Sequence, residues 1–156
     1  MSNDPLRSEV IALFASRFGV PPETFDEIRL EEHRDEIWAS TLFPRPNVAS
    51  QRPAGLRALR RTPKGLKPTS AFLIHLGSRI EQSRIELELA PLEALLLGRR
   101  LDSDASDGFV ALCFRGEVVG CGWTRGGSLQ AMIPTGRRRE LLEALADEHP
   151  PKTRNL

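Results

Sequence analysis

Between Gly108 and Trp123 the chain reads GFVALCFRGEVVGCGW, and few folds accept that run. Phe109 to Phe114 is a series of β-forming apolar residues, Arg115-Gly116 is a short turn, and Val118 to Trp123 returns. Two β-rich runs about a glycine-containing turn predict an antiparallel hairpin. A two-residue turn at Arg115-Gly116 sets Cys113 opposite Val118 and Cys121 opposite Val110. Successive side chains alternate faces, so the two thiols are expected on opposite faces, too far apart to bridge. They read as small buried apolar side chains. Gly120-Cys121-Gly122 with Gly126 has the look of a dinucleotide loop, but Arg125 stands where its third glycine belongs. A turn and a strand follow rather than the helix whose N-terminus holds phosphate. Gly120 and Gly122 are instead expected where another part of the chain approaches closely or where a small barrel curves.

The rest of the chain is expected to pack around this hairpin. Val10, Leu13, Phe14 and Phe18 recur on one face of a helix over residues 5–18, with Asp4 as N-cap, Pro5 at the first position and Gly19 as stop. Two short strands follow, 27–31 and 36–41, joined around His33-Arg34-Asp35, with Leu30 and Trp38 facing the core; a helix over 31–39 competes with them. Three prolines make 44–53 a surface turn segment. Residues 56–61 form a short strand with Leu56 and Leu59 partly buried, and 62–67 a loop. A second helix runs from Thr69 to about Gly77 on Phe72, Leu73 and Leu76. Alternation of Ile85, Leu87 and Leu89 with charged residues predicts a half-buried strand over 80–89. A third helix spans 91–97, stopped by Gly98, and 99–107 is a polar loop. A strand over 128–133 and a helix over 136–148, with Leu141, Leu142 and Leu145 inward, close the fold before a mobile tail at 149–156.

Charge is segregated along this order. The net charge is +1, yet residues 1–37 hold 4 basic and 9 acidic residues, residues 38–80 hold 8 basic and none acidic, and residues 81–156 hold 10 basic and 12 acidic. A 43-residue window without a carboxylate points to an anionic partner. The candidate binding residues are Arg57, Arg60, Arg61, Lys64 and Lys67 in that window, Arg79 after the second helix, Arg125 at the end of the hairpin, and Arg137, Arg138 and Arg139. The last three fall in the first turn of the closing helix, where the dipole disfavours a cation by a few tenths to ~1 kcal/mol each. Placing them there favours a binding role. Trp123 reads as a core residue rather than a base-stacking platform.

Little in the sequence suggests catalysis. His33, His75 and His149 lie far apart, without cysteine or carboxylate at metal-ligand spacing. There is no nucleophile elbow, Walker loop or triad spacing, and the carboxylates of 23–36 read as a solvated face. No apolar run approaches the roughly 20 residues that span a bilayer. The first residues, MSNDPLRSEV, have no apolar signal core, so a cytoplasmic protein that uses neither cofactor nor metal is expected.

The pattern GFVALCFRGEVVGCGW followed by LQAMIPTGRRREL is similar to the PUA-like RNA-binding domain appended to Sun/Fmu-type RNA cytosine-5 methyltransferases. Val119-Gly120-Cys121-Gly122 and Pro134-Thr135-Gly136-Arg137-Arg138 fill that domain's motif positions, with Thr135 in place of its usual lysine. RFGVPPETFDEIRL, EIWAS and LKPTSAFLIHLG resemble small stand-alone relatives of the same group. The resemblance implies an α+β fold: an N-terminal α/β pre-PUA-like unit (1–66) packed on a C-terminal PUA-like mixed β-barrel (67–148), with RNA as ligand. It implies no methyltransferase activity, because no proline precedes a cysteine and the chain has no room for that catalytic core. The expectation is a non-catalytic RNA-binding protein acting on structured rRNA or tRNA in RNA modification or ribosome biogenesis. The alternative is a specificity subunit that docks on an RNA methyltransferase or a ribosomal particle. The binding site is expected where residues 57–79 meet the Arg137–Arg139 edge.

Overall fold

A computed structural model describes residues 4–41 and 55–148; the proline-rich segment 44–53, His149 and the tail 149–156 lie outside the described residues. The first helix, α1 (Pro5–Phe18), has the expected bounds and caps. The Asp4 carboxylate accepts from Leu6 N at 3.1 Å, and Gly19 takes the left-handed conformation (φ 63) that ends the helix. Val10, Phe14 and Phe18 are buried.

Four antiparallel strands follow as a meander: β1 (Ile28–His33), β2 (Glu36–Thr41), β3 (Leu56–Thr62) and β4 (Gly65–Pro68). The competing helix over 31–39 does not form. Arg34 and Asp35 instead turn the chain, both with positive φ (50 and 64), the backbone a tight hairpin turn demands. Two expectations are corrected here. Trp38 does not face the core; Ile37 and Ala39 do, because Leu30 pairs with Ala39 and Trp38 pairs with Glu31 on the opposite face. Residues 62–67 are not a plain loop. Pro63-Lys64 forms the tip of a hairpin, Thr62 Oγ1 accepts from Lys64 N and donates to Gly65 O, and β4 runs back along β3.

Beyond β4 come α2 (Ser70–Leu76), capped by Thr69, and a 3-10 turn at Gly77–Arg79. The second sheet has the order β5-β7-β8-β9-β6, from β5 (Arg84–Glu86), β6 (Leu101–Asp102), β7 (Gly108–Phe114), β8 (Glu117–Arg125) and β9 (Ser128–Ala131). β5 lies parallel to β7 and the other pairings are antiparallel, so this sheet is mixed. The fold is α+β, with a sheet curled into a half-barrel. The strand expected over 80–89 shrinks to three residues, since Ser83 adopts positive φ (57) before it and α3 (Leu89–Leu96) starts soon after. The loop 99–107 contains the short β6. A last helix, α4 (Thr135–Glu148), buries Leu145 and half-buries Leu141 and Leu142.

The hairpin β7–β8 forms with its turn at Arg115-Gly116 (φ 52 and 79). Its register differs from the expected one. A bulge at Val119 slips the pairing, so Cys113 faces Val118 as expected but Cys121 faces Ala111 rather than Val110. An extra residue reverses which face each later side chain occupies. Both cysteines therefore lie in the same core, correcting the opposite-face reading, and both are free thiols.

β7 separates two cores, which explains why GFVALCF is apolar without alternation. Ala111 and Cys113 pack in the first core with Phe14, Phe18, Phe25, Leu59, Phe72 and Leu73. Val110 and Leu112 pack in the second with Leu92, Leu95, Leu129, Ile133 and Leu145. Gly120 and Gly122 leave room for this second core: a Cβ at Gly120 would lie 2.5 Å from Ile133 Cδ1, and one at Gly122 would lie 2.8 Å from Leu112 Cδ2. The first core draws on residues from both sides of position 66. Two polar links reinforce that junction. Arg17 of α1 donates to Phe109 O (2.6 Å), Ser106 O (3.0 Å) and Ser106 Oγ (2.8 Å). The buried Ser70 hydroxyl accepts from Cys121 N at 2.9 Å and donates to Met132 O at 3.2 Å.

Candidate functional site

The basic residues singled out in the sequence fall into four places. β3 carries Arg57, Arg60 and Arg61, the β3–β4 tip carries Lys64, and β4 carries Lys67. Arg79 closes the 3-10 turn after α2, so the length of that helix separates it from Lys67. Arg125 sits at the β8–β9 turn opposite Ser128, whereas α4 starts beyond the other end of β9. Arg125 is thus a strand's length from Arg137, Arg138 and Arg139. Within the 57–79 stretch expected to meet the Arg137–Arg139 edge, Ser70 at the start of α2 donates to Met132 O, three residues before α4 begins. Among the described residues no hydrogen bond or ion pair joins the two sets of cations themselves.

Several of these arginines are already occupied. Arg61 lies on the α1 side of the sheet and holds two carboxylates: Glu32 at 2.9 and 3.0 Å and Glu9 at 3.1 and 3.2 Å. Its guanidinium pKa is raised by the hydrogen bond to Glu32 and then by the one to Glu9. Phosphate would have to displace both acids, so Arg61 is a structural clamp between α1, β1 and β3. Arg57 pairs with Glu36 at 2.9 Å. Arg137 pairs with Glu140 at 3.2 Å. Arg138 donates to Thr135 Oγ1 at 3.0 Å and lies beside Gly98, past the C-terminal end of α3, where a helix dipole favours a cation. That position gives Arg138 a packing role despite its place in the first turn of α4.

The clamp has a pH signature. The hydrogen bond from Arg61 holds the Glu32 carboxyl below its ordinary value of 4.5. A carboxyl with a lowered folded pKa stabilises the fold fully above its unfolded pKa and loses that contribution as pH falls through the folded one. Glu32→Gln is therefore expected to lower the urea midpoint at pH 7, and the difference should shrink progressively as pH falls below 4.5, the ordinary carboxyl value. A midpoint difference that persists unchanged at pH 3 would disprove the assignment.

Arg60 and Lys67 are different. They sit directly opposite each other on β3 and β4, on the face turned away from the core, and neither has a carboxylate partner among the described residues. Directly opposed like charges destabilise an antiparallel pair by a few tenths to ~1 kcal/mol. Glu36, which also pairs in register with Arg60, is engaged by Arg57 instead. Lys64, exposed at the tip of the same hairpin, adds a third cation to the exposed Arg60 and half-buried Lys67. The same open face carries Trp38, half-buried, with the Arg57 guanidinium carbon 6.0 Å from its ring centre. Sequence reasoning missed Trp38 although the signal was present: its strand neighbours in phase are Glu36 and Ser40, and a period of two puts all three on one polar face. Trp123, by contrast, is half-buried against Phe109, with ring centres 4.6 Å apart.

Catalytic and metal chemistry find few candidates. Among the described residues no group of three His, Cys, Asp or Glu is placed to hold a metal ion. His33 and His75 are exposed, and His75 stacks on Phe72 with ring centres 6.3 Å apart. Burial pushes the Cys121 thiol up to about 12 and the Cys113 thiol upward as well, away from the thiolate that reactive cysteines need. Among the described residues no helix is long and apolar enough to cross a membrane. Comparison with protein-family models gives no match, and comparison with curated proteins gives none either.

Proposed function

We propose that this is a non-catalytic RNA-binding protein that recognises structured rRNA or tRNA in RNA modification or ribosome biogenesis, with a PUA-like C-terminal unit. The observation that carries the reading is the opposed pair Arg60 and Lys67, with Lys64 beside them. Arg60 lies between Lys67 on one neighbouring strand and Glu36 on the other, and Glu36 is held by Arg57, so neither cation of the opposed pair has a carboxylate of its own among the described residues. Three uncompensated cations on one hairpin suit successive phosphates of a polyanion. Arg139, exposed and without a partner among the described residues at the start of α4, supplies a further phosphate contact. The resemblance of residues 108–141 to a PUA-like domain supports the choice of RNA among polyanions.

Binding of a structured RNA hairpin, followed by fluorescence anisotropy, tests the reading. Four neutralised phosphates give a log–log salt slope of about −3.6, so affinity falls roughly 150-fold between roughly 50 and 200 mM monovalent salt. Absence of binding at the lower salt, or an affinity that salt leaves unchanged, would overturn the proposal.

A further inference from the structure

The geometry points to Trp38 as a stacking platform for one unpaired nucleotide, which makes the outer face of the β1–β4 sheet a reader of single-stranded RNA rather than of duplex; this rests on the RNA-binding reading above. Trp38 stands in the middle of β2, between Glu31 of β1 and Arg57 of β3. The acids on this face are spoken for: Arg29 holds Glu31 at 3.0 Å and Arg57 holds Glu36 at 2.9 Å. What remains for a ligand is the exposed part of the half-buried Trp38 ring, with the Arg57 guanidinium carbon 6.0 Å from its centre, and the cations Arg60 and Lys67, which have no carboxylate partner among the described residues. An aromatic ring beside uncompensated cations on an open sheet is the combination that binds unpaired bases, the ring taking the base and the cations the flanking phosphates.

Two details separate this from a tryptophan used only for packing. The indole Nε1–H is shielded from solvent and donates to no acceptor among the described residues, whereas a structural tryptophan normally anchors that group with a hydrogen bond. Stacking uses the ring face and does not need the N–H. The second detail is orientation. The core side of β2 is filled by Ile37 and Ala39, so Trp38 contributes nothing to the packing between the sheet and α1. A duplex offers no free base face to such a ring, because its bases already stack on one another.

The test compares a ten-nucleotide oligoadenylate with a fully paired RNA duplex at low salt. Trp38→Ala is expected to weaken oligoadenylate binding about 10- to 100-fold, to leave duplex binding within about twofold, and to keep the melting temperature close to that of the parent chain. Trp38→Phe should retain most of the affinity. A direct reading comes from the Trp123→Phe variant, in which Trp38 is the remaining tryptophan: oligoadenylate should quench its emission and the duplex should not. If Trp38→Ala fails to fold, the quenching alone decides. Absence of quenching while the oligonucleotide binds, or equal losses on both RNAs, overturns the stacking role but leaves RNA binding standing. Absence of binding to either RNA overturns both.

Discussion

Reversing Arg60 and Lys67 together to glutamate lowers the affinity for structured RNA by about 100-fold or more. A charge-assisted contact contributes about 1.5–3 kcal/mol, and 1.4 kcal/mol is a factor of ten, so two lost contacts multiply to at least that range. The salt slope should fall by about two at the same time, since two fewer counterions are released. The single reversal Lys67→Glu separates function from stability. It places a carboxylate directly across from Arg60, which favours the strand pair by a few tenths to ~1 kcal/mol. The variant is thus expected to be as stable as its parent or slightly more so, and a poorer RNA binder. Anisotropy titration and urea unfolding on the same preparation check both halves. Unchanged affinity in the double variant would remove this hairpin from the binding surface, and a destabilised single variant would show that the opposed pair has a structural role.

Phe14→Ala is expected to lower stability by about 3–5 kcal/mol. Phe14 is fully buried and touches three other rings, with centres 5.4 Å from Phe18, 5.8 Å from Phe25 and 5.3 Å from Phe72. The Phe72 contact is edge-to-face, a favoured aromatic geometry. Removing the ring leaves a void between α1, α2 and the first sheet that rigid neighbours cannot fill. At this chain length each kcal/mol shifts the melting temperature by roughly 2–4 °C, so a drop of about 10–15 °C should appear by calorimetry. A loss below about 1 kcal/mol would mean that the cluster relaxes around the gap. The same junction holds the two sheets together, so RNA binding should disappear with the melting transition and persist below it.

How much of this was readable in the sequence depends on the range of the interactions. The bounds of α1 were legible because its caps are local: Asp4 bonds Leu6, and Gly19 carries the left-handed turn. The β7–β8 hairpin was legible because Arg115-Gly116 sits between two β-rich runs. Its bulge was not, since Val118 and Val119 are equally good strand residues and only packing decides which one is extra. The cysteine assignment failed with it. Trp38 was misplaced because hydrophobicity was weighed above phase, although Glu36 and Ser40 share its face. The carboxylate-free window drew attention to residues 57–67, but nothing local distinguishes Arg60 from Arg61. One faces open solvent beside Lys67; the other meets Glu9, 52 positions away in the chain. Arg138 was equally opaque, since its neighbour Gly98 belongs to a different helix end.

The bulge at Val119 has a chemical consequence. By turning both Cys113 and Cys121 into one interior, it leaves their thiols only backbone carbonyls as hydrogen-bond acceptors among the described residues, Ala111 O and Gly122 O, each at 3.6 Å. With Cys121 pushed up to about 12, almost none of it is thiolate at neutral pH. Oxidants and alkylating reagents act on the thiolate, so the folded protein is inert toward them while its unfolded chain is not. With both faces of the hairpin covered by a core, sulfur chemistry is expected of the open chain rather than of the folded one.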